Sequence, residues 1–226
     1  MALAGPAVMP VAFGWMRNGR PGPTPPGVVT GRVTVREKGN KVAADVGQAV
    51  VWLEGATPEP SRPKRFEVLT EGKDFRPHVA VVGTGTTVGF PNNDPFNHNV
   101  FSLSAEAPFD LGLYSRGQSK SVTFTRPGVI KVYCNVHATM SAFIIVRDNA
   151  HFTQPAQDGS FVLEAVPAGK YTLRAWHERA GDVKLPIDVA PAGLKGLDVQ
   201  MDARGYKFVE HLNKFGQPYS KGGARY

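Results

Sequence analysis

Short β-branched segments separated by glycine- and proline-containing turns dominate this sequence and limit what it can fold into. Seven of them follow one another without an amphipathic helix between them: GVVTGRVTV, AVVWLEG, PHVAVVGTGTTVGF, HNVFSL, KSVTFT, GVIKVYC and SAFIIV. The chain holds 25 glycines and 19 prolines in 226 residues, and long runs of helix-forming residues are scarce. Short, evenly spaced strands of this kind are typical of β-sandwiches and Greek-key barrels. The sequence therefore predicts an all-β protein whose first sandwich covers residues 29–151.

A second strand-rich stretch follows the turn-forming segment RDNAHFTQPAQDG. Apolar and polar residues alternate in FVLEAV and YTLRAW, which is the pattern of half-buried strands, and Gly169 supplies the turn between them. We predict a second, smaller β-sandwich over residues 152–203. Irregular tails are expected at residues 1–28, which are rich in proline and glycine, and at residues 204–226, which are basic.

The net charge of +7 is concentrated in these two tails. Residues 1–28 carry +2 and residues 204–226 carry +4, which leaves only +1 for the predicted folded body. A nucleic-acid-binding face would normally lie on the body, and no nucleic-acid motif occurs there, so we do not expect nucleic-acid binding. Basic ends suit an acidic partner protein or an anionic membrane surface. They suit solvated tails that keep the chain soluble equally well.

The first sixteen residues, MALAGPAVMPVAFGWM, are uncharged and apolar. They are too short to span a bilayer and lack the basic region of a signal peptide. Two interpretations remain open: the remnant of an export signal, or a segment that contacts a membrane surface or a partner. Because proline- and glycine-rich ends are ordinarily disordered, we expect a larger assembly to order both tails.

The single cysteine of the chain lies in VYCNVHATM, where Cys134, His137 and Met140 follow one another at intervals of three residues. One cysteine excludes an internal disulfide. Thiolate, imidazole and thioether are soft donors that suit copper rather than magnesium, calcium or manganese. Because one short loop cannot surround a metal ion, a further donor must come from elsewhere. The best candidate is His98, which lies in DPFNHNVFS at the start of a predicted strand.

Other interpretations of these residues are open. A cysteine at a strand end is ordinarily a small buried hydrophobe, and a nearby methionine is ordinarily core. Zinc could use the cysteine and the histidines, although a thioether is a poor ligand for it. A catalytic Cys–His pair would need an orienting group that the sequence does not signal, and we do not expect an enzyme. Four histidines lack metal-ligand spacing and are expected to be structural or surface residues: His78, His151, His177 and His211.

The segment HNVFS, followed by GVIKVYCNVHATM, resembles the cupredoxins, the small blue copper proteins, with a short C-x2-H-x2-M loop of the amicyanin type. Downstream, DGSFVLEAVPAGKYTLRAWHE resembles the carboxypeptidase regulatory-like β-sandwich. The tandem resembles proteins described as methylamine-utilisation or plastocyanin-like, over about residues 29–203. The loop NVHATM departs from this pattern because it lacks the proline that often follows the second histidine.

The resemblance implies a ligand set for one type 1 copper ion. His98, Cys134 and His137 would be the equatorial ligands, and Met140 the weak axial one. The side chain of Asn99 would tie the two ligand segments together from behind the ligands.

The position of His137 in a loop rather than in a strand indicates where electrons would enter and leave such a site. His137, in the loop, would be the exposed edge of the site. Pro95, Phe96 and Ala138 would form an apolar docking surface around it.

We therefore expect a type 1 copper electron-transfer protein of an extracytoplasmic, periplasmic compartment, with a redox protein or a membrane electron-transfer complex as partner. The alternative is an accessory or scaffold subunit that keeps the sandwich for packing and docks by its tails on a respiratory or photosynthetic membrane complex. A copper carrier with a weaker, more accessible site is a third possibility. The second sandwich carries no recognisable site, and Tyr171 and Trp176 are expected in its core.

Overall fold

The computed structural model describes residues 26–58 and 64–219. Its regular structure consists of strands and two single-turn 3-10 helices, Lys38–Asn40 and Val46–Gln48, so the all-β prediction is confirmed. The strands are β1 (Gly27–Arg36), β2 (Val50–Glu54), β3 (Arg65–Glu67), β4 (Leu69–Thr70), β5 (Phe75–Arg76), β6 (Val79–Gly83), β7 (Thr86–Pro91), β8 (His98–Ser102), β9 (Phe109–Tyr114), β10 (Ser119–Phe124), β11 (Gly128–Cys134), β12 (Ser141–Arg147), β13 (Phe152–Thr153), β14 (Ser160–Val166), β15 (Gly169–His177), β16 (Gly181–Val189) and β17 (Leu194–Asp202). The predicted N-terminal tail and its membrane contact fall almost wholly outside the described residues.

Four sheets stack face to face to form two sandwiches. The first sheet has the order β14-β1-β17 and the second β13-β2-β15-β16. The third sheet has the order β6-β12-β11-β8-β9 and the fourth β10-β7-β3, with β4 and β5 forming a separate two-stranded ribbon. We call the first pair of sheets the discontinuous sandwich, because its strands come from both ends of the described chain. The second pair is the inserted sandwich, which is built from residues 64–147.

Each sandwich has its own hydrophobic core. Val33 of β1 and Met201 of β17 face Leu53 of β2 across the discontinuous sandwich. In the inserted sandwich, Ile144 of β12 faces Phe90 of β7. The period-2 alternation that predicts β14 and β15 is the alternation between the core and the outer face of the discontinuous sandwich.

A third core joins the two sandwiches. Val50 and Trp52 of β2 pack against Phe143 and Ile145 of β12, with Trp176 of β15 alongside. The rings of Phe143 and Trp176 are 5.0 Å apart. Because β2 and β12 bury both faces, they read as continuous apolar runs rather than as alternating ones. Trp176 thus belongs to the core between the sandwiches.

The structure divides the chain differently from the predicted boundaries. Residues 29–54 fall within the first predicted sandwich, but in the structure β1 and β2 complete the second one. β1 pairs antiparallel with β14 and parallel with β17, and β2 lies between β13 and β15. Without β1, nothing would connect β14 to β17 in the first sheet. Alternation in GVVTGRVTV shows that the strand is half buried, but it does not say which sheet the strand joins.

A glycine permits the close approach of β1 to the C-terminal strands. Gly193 has φ +89°, and a Cβ there would lie 2.2 Å from the carbonyl oxygen of Val28. Another residue type would have to push the β16–β17 turn away from the start of β1.

Residues 204–219, which we call the C-terminal strap, contain no strand or helix, as predicted for the tail. They nevertheless lie against the chain's own third sheet, where His211 stacks on Tyr133 of β11 with ring centroids 4.2 Å apart. Within the described ranges, no helix is long and apolar enough to cross a bilayer.

Candidate metal centre

Two neighbouring strands of the third sheet bring the predicted donors together at one end of the inserted sandwich. His98 is the first residue of β8 and Cys134 is the last residue of β11, and these strands pair antiparallel with Cys134 opposite Val100. His137 lies in the loop between β11 and β12. The Sγ atom of Cys134 is 3.5 Å from Nδ1 of His98 and 3.7 Å from Nδ1 of His137. Within residues 26–58 and 64–219, this is the one group of three or more His, Cys, Asp or Glu side chains with metal-site spacing.

The ligand loop, residues 134–140, folds back on itself. The Cys134 N–H donates to the Met140 carbonyl at 3.1 Å, and the Met140 N–H donates to the His137 carbonyl at 3.1 Å. The Val136 N–H points at the Cys134 Sγ at 3.5 Å. Met140 is 1% exposed and packs in the same core as Cys134. The loop therefore closes with its thiol and thioether inside and His137 at its outer edge.

Burial sets the protonation of the donors. It is the main cause that lowers the pKa of His98 and His137, and the neighbouring His98 lowers the pKa of His137 further. Burial also raises the pKa of the Cys134 thiol, which backbone N–H groups of Asn99 and Val136 partly offset. Neutral imidazoles keep a lone pair free for a metal ion. The thiol must lose its proton when a metal binds, so binding releases a proton.

Asp94 is a site residue that the sequence reasoning missed. Its Oδ2 accepts the Nε2–H of His98 at 2.9 Å, and its oxygens also accept the backbone N–H groups of Gly72 at 2.7 Å and Lys73 at 2.9 Å. Burial alone would raise the pKa of this carboxyl, but the two backbone N–H groups and His98 bring it below its usual value. The carboxylate thus fixes the tautomer of His98 and turns its Nδ1 lone pair toward Cys134. In the sequence, Asp94 lies four residues before His98 in DPFNH, and that spacing alone does not predict the hydrogen bond.

Asn99 lies beside the site but does not connect the two ligand segments as expected. Its Nδ2 donates to Oδ1 of Asp110 on β9 at 2.6 Å, and its Oδ1 has no partner among the described residues. Because side chains alternate along β8, the side chain of Asn99 points away from that of His98. The backbone N–H of Asn99, by contrast, contributes to the environment of the Cys134 thiol.

Of the predicted docking residues, Phe96 lies against the ring of His137, Pro95 precedes Phe96 in the chain, and Ala138 follows His137. The ring of Phe96 lies 5.2 Å from that of His98 and 5.6 Å from that of His137. Pro95 is exposed, and Phe96 and Ala138 are half-buried. Lys73 adds a positive charge, with its Nζ 5.4 Å from the centre of the Phe96 ring. The surface beside the site is therefore apolar with one cationic edge.

The remaining histidines do not join this group. His78 pairs with Glu178, with 2.6 Å between Nε2 and Oε2. His151 and His177 are buried in the protein, and His211 stacks on Tyr133 in the C-terminal strap.

The donor set fits one type 1 copper ion. Three donors about 2.0–2.3 Å from a common centre in one plane would lie about 3.5–4.0 Å from one another, which is the spacing found around the Cys134 Sγ. A thiolate and two imidazoles are the ligands of the trigonal copper site, and the buried thioether of Met140 follows in the same loop. Hard cations would require oxygen ligands.

Comparison with known proteins gives limited matches. No family model matches the chain. The plastocyanin of Fritillaria agrestis, a chloroplastic protein, is 33% identical over 107 residues, and the match covers 41% of this chain and 64% of that protein, just under two thirds of its length. Among solved structures, a reduced Cu(I) form of an amicyanin variant matches with 20% identity and a TM-score of 0.35 over 43% of this chain and 98% of that chain. The Cu-containing nitrite reductase of Thermus scotoductus matches with 28% identity and a TM-score of 0.36 over 41% of this chain and 25% of that chain.

Proposed function

We propose that this protein is a type 1 copper protein that carries single electrons. The observation that carries the proposal is the convergence of Cys134 Sγ with the Nδ1 atoms of His98 and His137, at 3.5 and 3.7 Å, from two separate segments of the chain. When bound, copper supplies a one-electron Cu(I)/Cu(II) couple. The similarity to plastocyanin supports this assignment.

The protein's own part is to hold the donors in one arrangement. His98 and Cys134 are both fully buried and anchored in the third sheet, and Asp94 fixes the ring of His98. Backbone hydrogen bonds close the loop that carries His137. Donors held in this way need little rearrangement when the charge of the metal changes, which favours fast electron transfer. Buried donors also leave little room for a substrate, so we propose a carrier rather than an enzyme.

A redox partner would dock beside His137, on Pro95, Phe96 and Ala138. We propose a partner that is a redox protein or a membrane electron-transfer complex, in an extracytoplasmic compartment such as the periplasm. The scaffold alternative requires the tails to bind a membrane complex rather than this chain's own sheet. The packing of residues 204–219 against the third sheet gives it no support.

The test is a titration of the purified protein with Cu(II), followed by visible and EPR spectroscopy, beside Cys134→Ser. We expect an intense thiolate-to-copper band at one equivalent in the wild type and no such band in the variant. Absence of the band in the wild type would refute the assignment.

Methionine variants sharpen this test. Met140→Leu should alter the EPR spectrum and the reduction potential. Met201→Leu provides the matched control, since Met201 is 2% exposed in the core of the other sandwich. A copper carrier would instead release its metal rapidly to a chelator, so the exchange rate separates the two functions.

A further inference from the structure

The C-terminal strap touches the ligand loop at two consecutive residues. The hydroxyl of Tyr219 donates to the carbonyl oxygen of Cys134 at 2.8 Å. The backbone N–H of Lys214 donates to Oδ1 of Asn135 at 2.9 Å. A segment far from the site in sequence therefore holds the loop where it leaves β11.

The strap is also connected to β8, the strand that begins with His98, through Asp110 of β9. The Lys214 Nζ lies 2.7 Å from Oδ2 of Asp110, and Oδ1 of the same carboxylate accepts the Nδ2–H of Asn99. Asn99 follows His98 directly. Lys214 thus connects the loop after β11 with β9, the strand next to β8, through its backbone N–H on one side and its ammonium group on the other.

Contacts within the strap and with the third sheet keep Tyr219 in place. His211 stacks on Tyr133, and the ring of Tyr219 meets that of His211 edge-on at 5.3 Å. The side chain of Asn213 accepts the N–H groups of Phe215 at 2.9 Å and Gln217 at 3.0 Å, which closes a compact turn just before Tyr219. These contacts therefore hold the Tyr219 hydroxyl against the carbonyl oxygen of Cys134.

We infer that Tyr219 is a positioning residue of the metal centre, which fixes the peptide after Cys134 and keeps the ligand loop closed. This inference rests on the proposed copper function. The next peptide along the loop carries the Val136 N–H, whose nitrogen lies 3.5 Å from the Cys134 Sγ, so fixing the first peptide limits the movement of the second. A hydrogen bond to the sulfur makes the thiolate less basic and so favours Cu(I) over Cu(II). Without Tyr219 the loop would open more easily, and the sulfur would lose part of this hydrogen bond.

The experiment compares Tyr219→Phe with the wild type and with Tyr206→Phe. The change removes only a hydroxyl in both variants, and Tyr206 lies in the same strap with 38% of its surface exposed. We expect Tyr219→Phe to transfer copper to a chelator up to about tenfold faster, as expected for the loss of one hydrogen bond. Its reduction potential should be lower than that of the wild type. Tyr206→Phe should match the wild type in both measurements.

Hydrogen exchange in the metal-free proteins makes the result independent of copper. We expect faster amide exchange at residues 134–140 in Tyr219→Phe than in Tyr206→Phe. Equal exchange rates, or equal copper release and potential in all three proteins, would overturn the role of Tyr219 even if the blue copper band is present. If the wild type lacks the band, the copper function fails, and the hydrogen-exchange comparison still decides whether Tyr219 positions the loop.

Discussion

Asp94 holds His98 from the side opposite Cys134. The Oδ2 of Asp94 lies 2.9 Å from Nε2 of His98, while Nδ1 of the same ring lies 3.5 Å from the cysteine sulfur. The backbone N–H groups of Gly72 and Lys73 hold the carboxylate itself. The ring is thus fixed in one orientation and one tautomer, and a negative charge lies behind the first histidine of the site.

We predict that Asp94→Asn weakens Cu(II) binding about tenfold to a hundredfold. The carboxylate makes the imidazole more basic and favours the higher charge of Cu(II), so its loss should raise the reduction potential. If the affinity for Cu(II) falls tenfold while the affinity for Cu(I) is unchanged, the reduction potential rises by about 59 mV. Copper titration and a redox titration measure the two effects. Asp74→Asn, at an exposed carboxylate between β4 and β5, is the control, and equal shifts in both variants would contradict a specific role for Asp94.

We predict that a larger side chain next to His137 slows electron exchange between protein molecules without changing the copper site. Ala138→Gln places a longer side chain on the proposed docking surface, where it should keep two protein molecules from bringing their His137 edges together. The electron self-exchange rate, measured by NMR on mixed oxidation states, should fall roughly tenfold while the visible spectrum is unchanged. Ala192→Gln, an exposed position in the β16–β17 turn, should leave the rate unaltered. An unchanged rate in Ala138→Gln would place the electron port elsewhere.

The candidate site was the part of this protein most open to prediction from sequence. Cys134 and His98 are recognisable by donor type and by their positions at strand ends, and His137 is recognisable by its spacing of three residues from Cys134. Asp94 was missed because a carboxylate in a turn has no special signature until the fold turns it toward His98. The direction of the Asn99 side chain follows from the pleat of β8, which the resemblance alone did not take into account.

Long-range pairing was the harder part of the fold to predict. The pattern of β1 predicts a strand, but its partners β14 and β17 lie far along the chain, and no local signal specifies them. The continuous apolar run in SAFIIV did carry information, because a strand that is apolar on both faces must be covered on both. In the strap, proline and glycine suggested disorder, whereas the contacts of His211 and Tyr219 depend on a surface that exists only in the folded protein.

We predict that residues 152–203 do not fold as an isolated fragment. Much of their core is supplied by β1 and β2, including Val33, Val51 and Leu53. A fragment that lacks these strands should give the poorly dispersed NMR spectrum of an unfolded chain. Joining residues 26–58 to it through a short linker should restore a dispersed spectrum. A folded isolated fragment would show that β14 to β17 form a stable core without β1 and β2.

The last prediction concerns the ion pair of His78 and Glu178, which connects the two sandwiches. Nδ1–H of His78 donates to the Ser141 carbonyl at 3.0 Å, and Nε2–H donates to Oε2 of Glu178 at 2.6 Å. Because both partners are acceptors, the ring carries both protons. The hydrogen bond to Glu178 is the main cause that raises the pKa of His78 above 6.5, against the opposing effect of burial, and Asp74 adds a smaller contribution.

A raised histidine pKa stabilises the folded state fully below the unfolded-state pKa, and this contribution is lost as the pH rises through the folded-state pKa. Glu178→Gln should therefore lower the free energy of unfolding by about 1 kcal/mol below pH 6.5, and by progressively less at higher pH. Denaturant unfolding across this pH range measures the difference. Glu54→Gln is the matched control, because its partner Arg174, 3.0 Å away, stays charged throughout. A Glu178→Gln effect as independent of pH as that control would mean that Glu178 does not raise the pKa of His78.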